Sequence, residues 1–113
     1  MTGQNKQQEL RMESRDKGAT QESWRVRVRG RVQGVGFRDA CARHARAQGI
    51  TGWVRNRDDG SVEAMLQGPP QRLAQMCEWL RVGVPAARVD DLAITPVQPP
   101  PPHFDHFERW PTV

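Results

Sequence analysis

The structural period of the chain changes within nine residues, Gly30-Arg31-Val32-Gln33-Gly34-Val35-Gly36-Phe37-Arg38. Before them, Trp24-Arg25-Val26-Arg27-Val28 alternates apolar and basic residues, which is typical of a strand with one buried face. Beyond them, apolar residues recur at steps of three and four, as from Phe37 to Ala40 and Cys41, which is typical of an amphipathic helix. The nine residues therefore carry the chain from the end of a strand directly into the start of a helix.

A pair of strands follows this helix. Gly49 stands where a residue in the left-handed conformation would close the helix. Residues 53–56 and 62–66 are two short runs of strand-forming residues. The Asp59-Gly60 step between them is a strong hairpin signal. The two runs are therefore predicted to pair antiparallel.

The remaining chain supplies a second helix and two more strands. An apolar stripe at helical spacing predicts a helix that runs to about Gly83, and its members are Leu73, Met76, Cys77 and Leu80. Residues 89–97 predict a fourth strand, and residues 104–110 predict a short closing strand after the proline-rich residues 99–102. The order βαββαβ is that of the α+β, ferredoxin-like split βαβ sandwich, in which two helices pack on one face of an antiparallel sheet. The short C-terminal strand is an addition to that plan.

One folded domain accounts for the length of the chain, because 113 residues supply the apolar side chains for one modest core. Residues 1–23 are polar, and their sizeable apolar side chains are Leu10 and Met12. We therefore expect a flexible tail over residues 1–23 and the folded domain over residues 24–113. The sequence has no apolar run of about 18 residues and no signal-like start, which predicts a cytoplasmic protein without a membrane partner.

The chain is basic, with a formal charge of +4 and a pI near 10.0. Such a charge fits a nucleic acid, an anionic surface or a small phosphorylated substrate, and it also fits an ordinary solvated surface. An RNA-binding module shares the βαββαβ plan, but it needs aromatic platforms on a central strand, and residues 61–66 hold none. We therefore expect no nucleic-acid partner.

The loop before the first helix has the features of a phosphate site. Its amides lead into the first helical turn, where backbone N–H groups are unpaired and the helix dipole is positive. Gly34 and Gly36 allow these amides to converge on one point, although they also suit a plain tight turn. Arg38 lies in the first turn, where its guanidinium can donate two parallel hydrogen bonds to a phosphate. From the residues alone, a surface arginine is an equally good interpretation of Arg38.

Other phosphate-binding loops do not fit these residues. A dinucleotide-binding fingerprint needs a third glycine where this chain has Asp39, and a Walker loop needs a lysine, yet none follows Lys17. A cysteine phosphatase has its nucleophile before the arginine, whereas Cys41 follows Arg38; Cys41 and Cys77 are interpreted as buried thiols. A cradle without nucleophile, base or metal site requires a labile substrate. An acyl phosphate is one, since its carboxylate leaving group, with a pKa of about 4, needs no proton.

Several segments together resemble the acylphosphatase family. They are residues 30–38, Gly52-Trp53-Val54-Arg55-Asn56, Asp59-Gly60-Ser61-Val62-Glu63, Gln67-Gly68-Pro69, Ala87-Arg88-Val89 and Phe107-Glu108. The match covers about residues 24–110. Val84 departs from the family pattern, which would place proline there.

The resemblance implies metal-independent hydrolysis of the carboxyl–phosphate bond of acyl phosphates, to a carboxylate and inorganic phosphate, without a cofactor. It implies that Arg38 is the catalytic, phosphate-binding arginine and that Asn56 orients the attacking water. It also implies a cradle of loop amides at Gln33, Gly34, Val35, Gly36, Phe37 and Arg38. The expected partners are a small acyl-phosphate substrate and inorganic phosphate, which would inhibit as the product, and the expected state is a monomer.

Plainer interpretations stand beside these. Asn56 taken alone would be a strand-end asparagine, and His44 lies on the apolar stripe, where a half-buried role is favoured over a catalytic base. His103 and His106 lack a third ligand for a metal ion. The tryptophans expected to pack in or beside the core are Trp24, Trp53 and Trp79. The alternative function is that of an accessory domain in a larger carbamoyl-transfer protein. We expect a stand-alone enzyme instead, because the sequence has 113 residues and no zinc-finger cysteines.

Overall fold

The computed structural model describes residues 21–113. Within them, the chain forms five strands and two helices. Their bounds are β1 Glu22–Arg31, α1 Phe37–Ala47, β2 Thr51–Asn56, β3 Val62–Gly68, α2 Pro70–Val82, β4 Arg88–Pro96 and β5 Phe107–Arg109. The predicted order βαββαβ with one added strand is confirmed. No helix in this part of the chain is long and apolar enough to cross a membrane.

The strands form one sheet in the order β4-β1-β3-β2-β5. The three pairings among β4, β1, β3 and β2 are antiparallel, as predicted. β5 instead runs parallel to β2, with Trp53 opposite Glu108, so the prediction of an antiparallel sheet does not extend to the last strand. Residues 97–106 cross from the β4 edge of the sheet to the β2 edge. The path of this crossing segment decides whether the next strand runs parallel or antiparallel to its neighbour. The alternation of apolar and polar residues within a strand carries no information about that path.

Both helices pack on one face of the sheet and enclose the core. Strand residues alternate between the two faces, so every second one lies beneath the helices. The largest contributions come from Val26, Val28, Val54 and Leu66 of the strands and from Phe37, Leu73, Met76 and Leu80 of the helices. Burial raises the pKa of Cys41 to about 12 and that of Cys77 to about 11, and both are the buried thiols that the sequence predicts.

Several predicted strand boundaries shift; β2, for example, begins at Thr51 rather than Trp53, and β3 ends at Gly68 rather than Leu66. β1 begins at Glu22, before the predicted start, because Ser23 is buried and its hydroxyl accepts a hydrogen bond from Gln67 Nε2 at 2.9 Å. The predicted tail otherwise falls on residues 1–20, which lie outside the described residues. The closing strand is shorter than predicted, since the N–H of Phe104 donates to the Gln67 side chain at 3.3 Å rather than to a neighbouring strand.

Candidate active site

A cavity of about 220 Å³ opens where β1 passes into α1. It is lined by Val32, Gly34, Gly36, Phe37, Arg38, Asp39, Asn56 and Arg109. The two residues predicted to be catalytic, Arg38 and Asn56, come from different elements and lie on the wall of this one cavity. The predicted loop residues Gly34, Gly36 and Phe37 also line it, whereas Gln33 and Val35 do not.

The loop ends in a helix start with free backbone donors. Gly34 and Gly36 have φ angles of +74° and +79°, in the left-handed region that favours glycine, and Gly36 is the N-cap of α1. Within residues 21–113, no main-chain carbonyl accepts a hydrogen bond from the amides of residues 33–39. The start of α1 therefore brings partial positive charge to the cavity.

Gln33 fastens the loop to the β2–β3 hairpin through its side chain. Its Nε2 donates to the carbonyl oxygens of Arg57 at 2.7 Å and Ser61 at 2.8 Å. Because Arg38 follows the loop and Asn56 precedes the hairpin turn, this link holds two walls of the cavity together. From the sequence, only the backbone amide of Gln33 is expected at the site. No local pattern marks the role of its side chain, because the partners are 24 and 28 residues away.

The last residues of the chain orient Arg38. Its Nη1 donates to the carbonyl oxygen of Trp110 at 3.4 Å, and the Arg38 side chain is half-buried. Trp110 is itself held in place, since its ring stacks on Trp53 with centroids 4.6 Å apart and its backbone N–H donates to the carbonyl oxygen of Val54 at 2.8 Å. The C-terminal segment thus restricts the guanidinium that sequence analysis placed at the phosphate.

The same segment braces the end of β2. Asn56 is the last residue of that strand, and its carbonyl oxygen accepts a hydrogen bond from the N–H of Val113 at 3.2 Å. The carbonyl oxygen of Val113 in turn accepts from the N–H of Asp58 at 2.7 Å. The Asn56 side chain is half-buried and lines the cavity, so its carboxamide can both donate to and accept from a bound water.

One ion pair lies on the cavity wall. Arg109 of β5 contacts the carboxylate of Asp39, the residue after Arg38, through Nη1 and Oδ1. In the sequence, Asp39 argues against a pyrophosphate site, and Arg109 is not among the expected site residues. No local pattern marks Arg109, because its place depends on the parallel pairing of β5 with β2.

None of the described histidines lines the cavity. His44 is half-buried, as expected, and its ring stacks on that of Trp79 with centroids 4.0 Å apart. Burial lowers its pKa. His103 is exposed, and its Nε2 lies 2.8 Å from Oδ1 of Asp105. No three His, Cys, Asp or Glu side chains within residues 21–113 are placed to hold a metal ion.

The fold and the cavity define a class of protein, namely a ferredoxin-like α+β domain with an arginine and a glycine-containing loop at the positive end of its first helix. The family model described as Acylphosphatase matches residues 24–109. The chain belongs to the acylphosphatase family, and its activity is the hydrolysis of acyl phosphates.

Individual relatives agree with this assignment. The acylphosphatase of Polaromonas naphthalenivorans (strain CJ2) is 60% identical over 98 residues, which are 87% of this chain and 97% of that protein. The structure of an acylphosphatase from Coxiella burnetii matches with a TM-score of 0.78 at 30% identity, over 83% of this chain and 97% of its own. The acylphosphatase from Bacillus subtilis matches with a TM-score of 0.75 at 36% identity, over 79% and 98%. The predicted family, fold and activity are confirmed.

Proposed function

We propose that the cavity at the start of α1 is the acyl-phosphate site and that it works without a metal ion. In this proposal the amides of residues 33–38 and the guanidinium of Arg38 hold the phosphate, and Asn56 places the attacking water. The observation that carries the proposal is that the glycine-containing loop, Arg38 and Asn56 meet at one cavity of about 220 Å³.

The donors at this cavity suit a phosphate dianion. The loop amides have no main-chain acceptor within residues 21–113, and they stand at the positive end of the α1 dipole. Arg38 adds a full positive charge and a planar pair of N–H donors. Such donors, fixed before the substrate arrives, stabilise the negative charge on the equatorial oxygens as the phosphoryl group is transferred.

The reaction needs little more than these donors. The water oxygen attacks phosphorus, and the bond from phosphorus to the acyl oxygen breaks. The bonding electrons leave with the carboxylate, which is stable without a proton. The water proton passes to a phosphate oxygen, so Asn56 has only to orient the water and need not act as a base.

Kinetics of benzoyl phosphate hydrolysis with a metal chelator test the assignment. We expect the wild type to turn over with the chelator present. Arg38→Ala should lower kcat/KM by about 100-fold or more and raise KM, because the phosphate loses its charged partner. Asn56→Ala should lower kcat by about 100-fold with little change in KM, because water placement matters most in the transition state.

Arg43→Ala is the matched control. Arg43 is an exposed arginine on the same helix as Arg38, outside the cavity, and its loss should leave both constants near wild type. Full activity of the Arg38 and Asn56 variants, or loss of wild-type activity with the chelator, would contradict the proposal.

The proposal also covers the binding partners, the oligomeric state and the location of the protein. Inorganic phosphate should compete with substrate for the cavity, which product-inhibition kinetics measure. We expect no binding of single-stranded RNA, because Trp53 is 5% exposed and offers no stacking platform on the open face of the sheet. A monomer by light scattering and a cytoplasmic location by cell fractionation remain predictions.

A further inference from the structure

Asp39 places a negative charge on the wall of the cavity that would hold a phosphate. It lies in the first turn of α1, directly after Arg38, and its side chain is 55% exposed. A carboxylate in a first turn stabilises the helix through the dipole. The same carboxylate repels a dianion bound beside it, so the residue that helps the helix opposes the substrate.

Arg109 meets that carboxylate from the opposite end of the sequence. Its Nη1 contacts Asp39 Oδ1, and Arg109 also lines the cavity. β5 fixes its backbone, since Arg109 pairs with Val54 in the parallel ladder. The adjoining Trp110 is stacked on Trp53. The edge of the sheet therefore places the Arg109 side chain at the cavity wall, where its contact is Asp39.

We propose that Arg109 is a positioning residue for the acyl-phosphate reaction that acts through Asp39. Arg109 holds the Asp39 carboxylate and offsets its negative charge. The electrostatic potential of the cavity, which Arg38 and the loop amides make positive, therefore stays positive. This inference rests on the proposed phosphate site. It assigns Arg109 to substrate affinity and gives it no part in the chemical step.

Three variants test the inference, with KM and kcat for benzoyl phosphate and Ki for inorganic phosphate as readouts. Arg109→Gln should raise KM and Ki by about tenfold with kcat nearly unchanged, because Asp39 is then uncompensated. Asp39→Asn in the same chain should restore both constants to wild-type values or below, since the repelling charge is gone. Arg109→Lys keeps the charge and should stay within about twofold of the wild type.

The double variant decides between two roles of Arg109. If Arg109 bound the substrate itself, the double variant would have a clearly higher KM than Asp39→Asn alone, a fourth variant, and that result would overturn the inference. The effect of Arg109→Gln should also shrink as ionic strength rises, because both side chains are about half exposed and salt screens them. KM and Ki do not depend on the amount of folded enzyme, so a partly unfolded variant still gives an answer.

Arg81 is the matched control. It forms the same kind of ion pair with Glu78 on α2, at 3.3 Å, and does not line the cavity. Arg81→Gln removes one positive charge and should leave KM and Ki unchanged. An equal rise for Arg81→Gln would assign the effect to net charge and would overturn the inference.

Failure of this inference is distinguishable from failure of the proposed function. If Arg38→Ala abolishes phosphate inhibition while Arg109→Gln changes nothing, the phosphate site stands and the role of Arg109 is refuted. If Arg38→Ala and Asn56→Ala behave like the wild type, the phosphate site falls and the role of Arg109 falls with it.

Discussion

At the scale of single residues, Gln33 tests whether the loop and the hairpin must be linked. Gln33→Glu keeps the shape of the side chain but removes its two N–H donors. The carbonyl oxygens of Arg57 and Ser61 then lose their donor and face a negative charge. We expect kcat/KM to fall by about 10- to 100-fold, because the loop and the hairpin are no longer held in their relative positions. The free energy of unfolding, measured in urea, should fall by about 2 kcal/mol.

Gln75→Glu is the control for this change. Gln75 is exposed on α2, so the same substitution adds the same charge without removing a described link. We expect unchanged kcat/KM and a free energy of unfolding within about 0.5 kcal/mol of the wild type. Similar losses in both variants would show that added negative charge, and not the broken link, is responsible.

At the scale of elements, one carboxylate on β3 contacts arginines of β1, of β2 and of the turn that follows β2. Glu63, with a side chain 4% exposed, lies 2.9 Å from Arg57, 3.0 Å from Arg55, 3.7 Å from Arg25 and 3.8 Å from Arg27. Burial alone would raise the pKa of Glu63, but hydrogen bonds from Arg57 and Arg55 lower it on balance. Glu63 is therefore the buried carboxylate that these four arginines share, and Arg27 has a second partner in Asp59 at 3.5 Å.

Glu63→Gln should lower the free energy of unfolding by about 3 kcal/mol, because it leaves the surrounding guanidinium groups to repel one another. Urea unfolding at neutral pH measures the loss, and added salt should recover part of it. Glu78→Gln breaks an exposed ion pair on α2 and should cost no more than about 0.5 kcal/mol. If both variants lost the same free energy of unfolding, the contacts of Glu63 with the arginines would not be what stabilises the sheet.

At the scale of the whole molecule, the fold should lose stability on acidification in an upper pH window set by His44 and in a lower window set by Glu63 and Asp59, the carboxylates whose pKa is lowered. Burial lowers the pKa of His44 from 6.5, so the unfolded chain takes up a proton where the folded chain does not, and stability falls as the pH drops from 6.5 through the folded pKa. Hydrogen bonds from Ser61 lower the pKa of Asp59 from 3.8 to about 2. Its contribution is complete above pH 3.8 and is lost as the pH falls towards 2.

Urea unfolding over this range of pH separates the two windows. His44→Gln should flatten the curve in the upper window and leave the lower one. His106→Gln, at an exposed histidine, should change neither. A wild-type curve without any slope in the upper window would contradict the effect assigned to His44.

The parts of the site that lie close together in sequence could be predicted from it. The change of period at residues 30–38, the glycines of the loop and the place of Arg38 in the first helical turn are local, and the structure has all three as expected. Asn56 is an intermediate case. Its position at a strand end is local, but the residues alone indicated only a turn asparagine, and its place on the same cavity as Arg38 depends on how β2 packs next to α1.

By itself, the sequence determined which segments are strands and helices and where a helix start would offer backbone donors, because side-chain periodicity and helix termini act over a few residues. Only the tertiary structure decided that β5 runs parallel to β2, that Gln33 bonds the hairpin, and that Arg109 meets Asp39. Each of these depends on contacts between segments that are 24 to 70 residues apart. The path of a crossing segment and the partner of a long side chain depend on how distant segments pack together. A local sequence pattern does not contain that information.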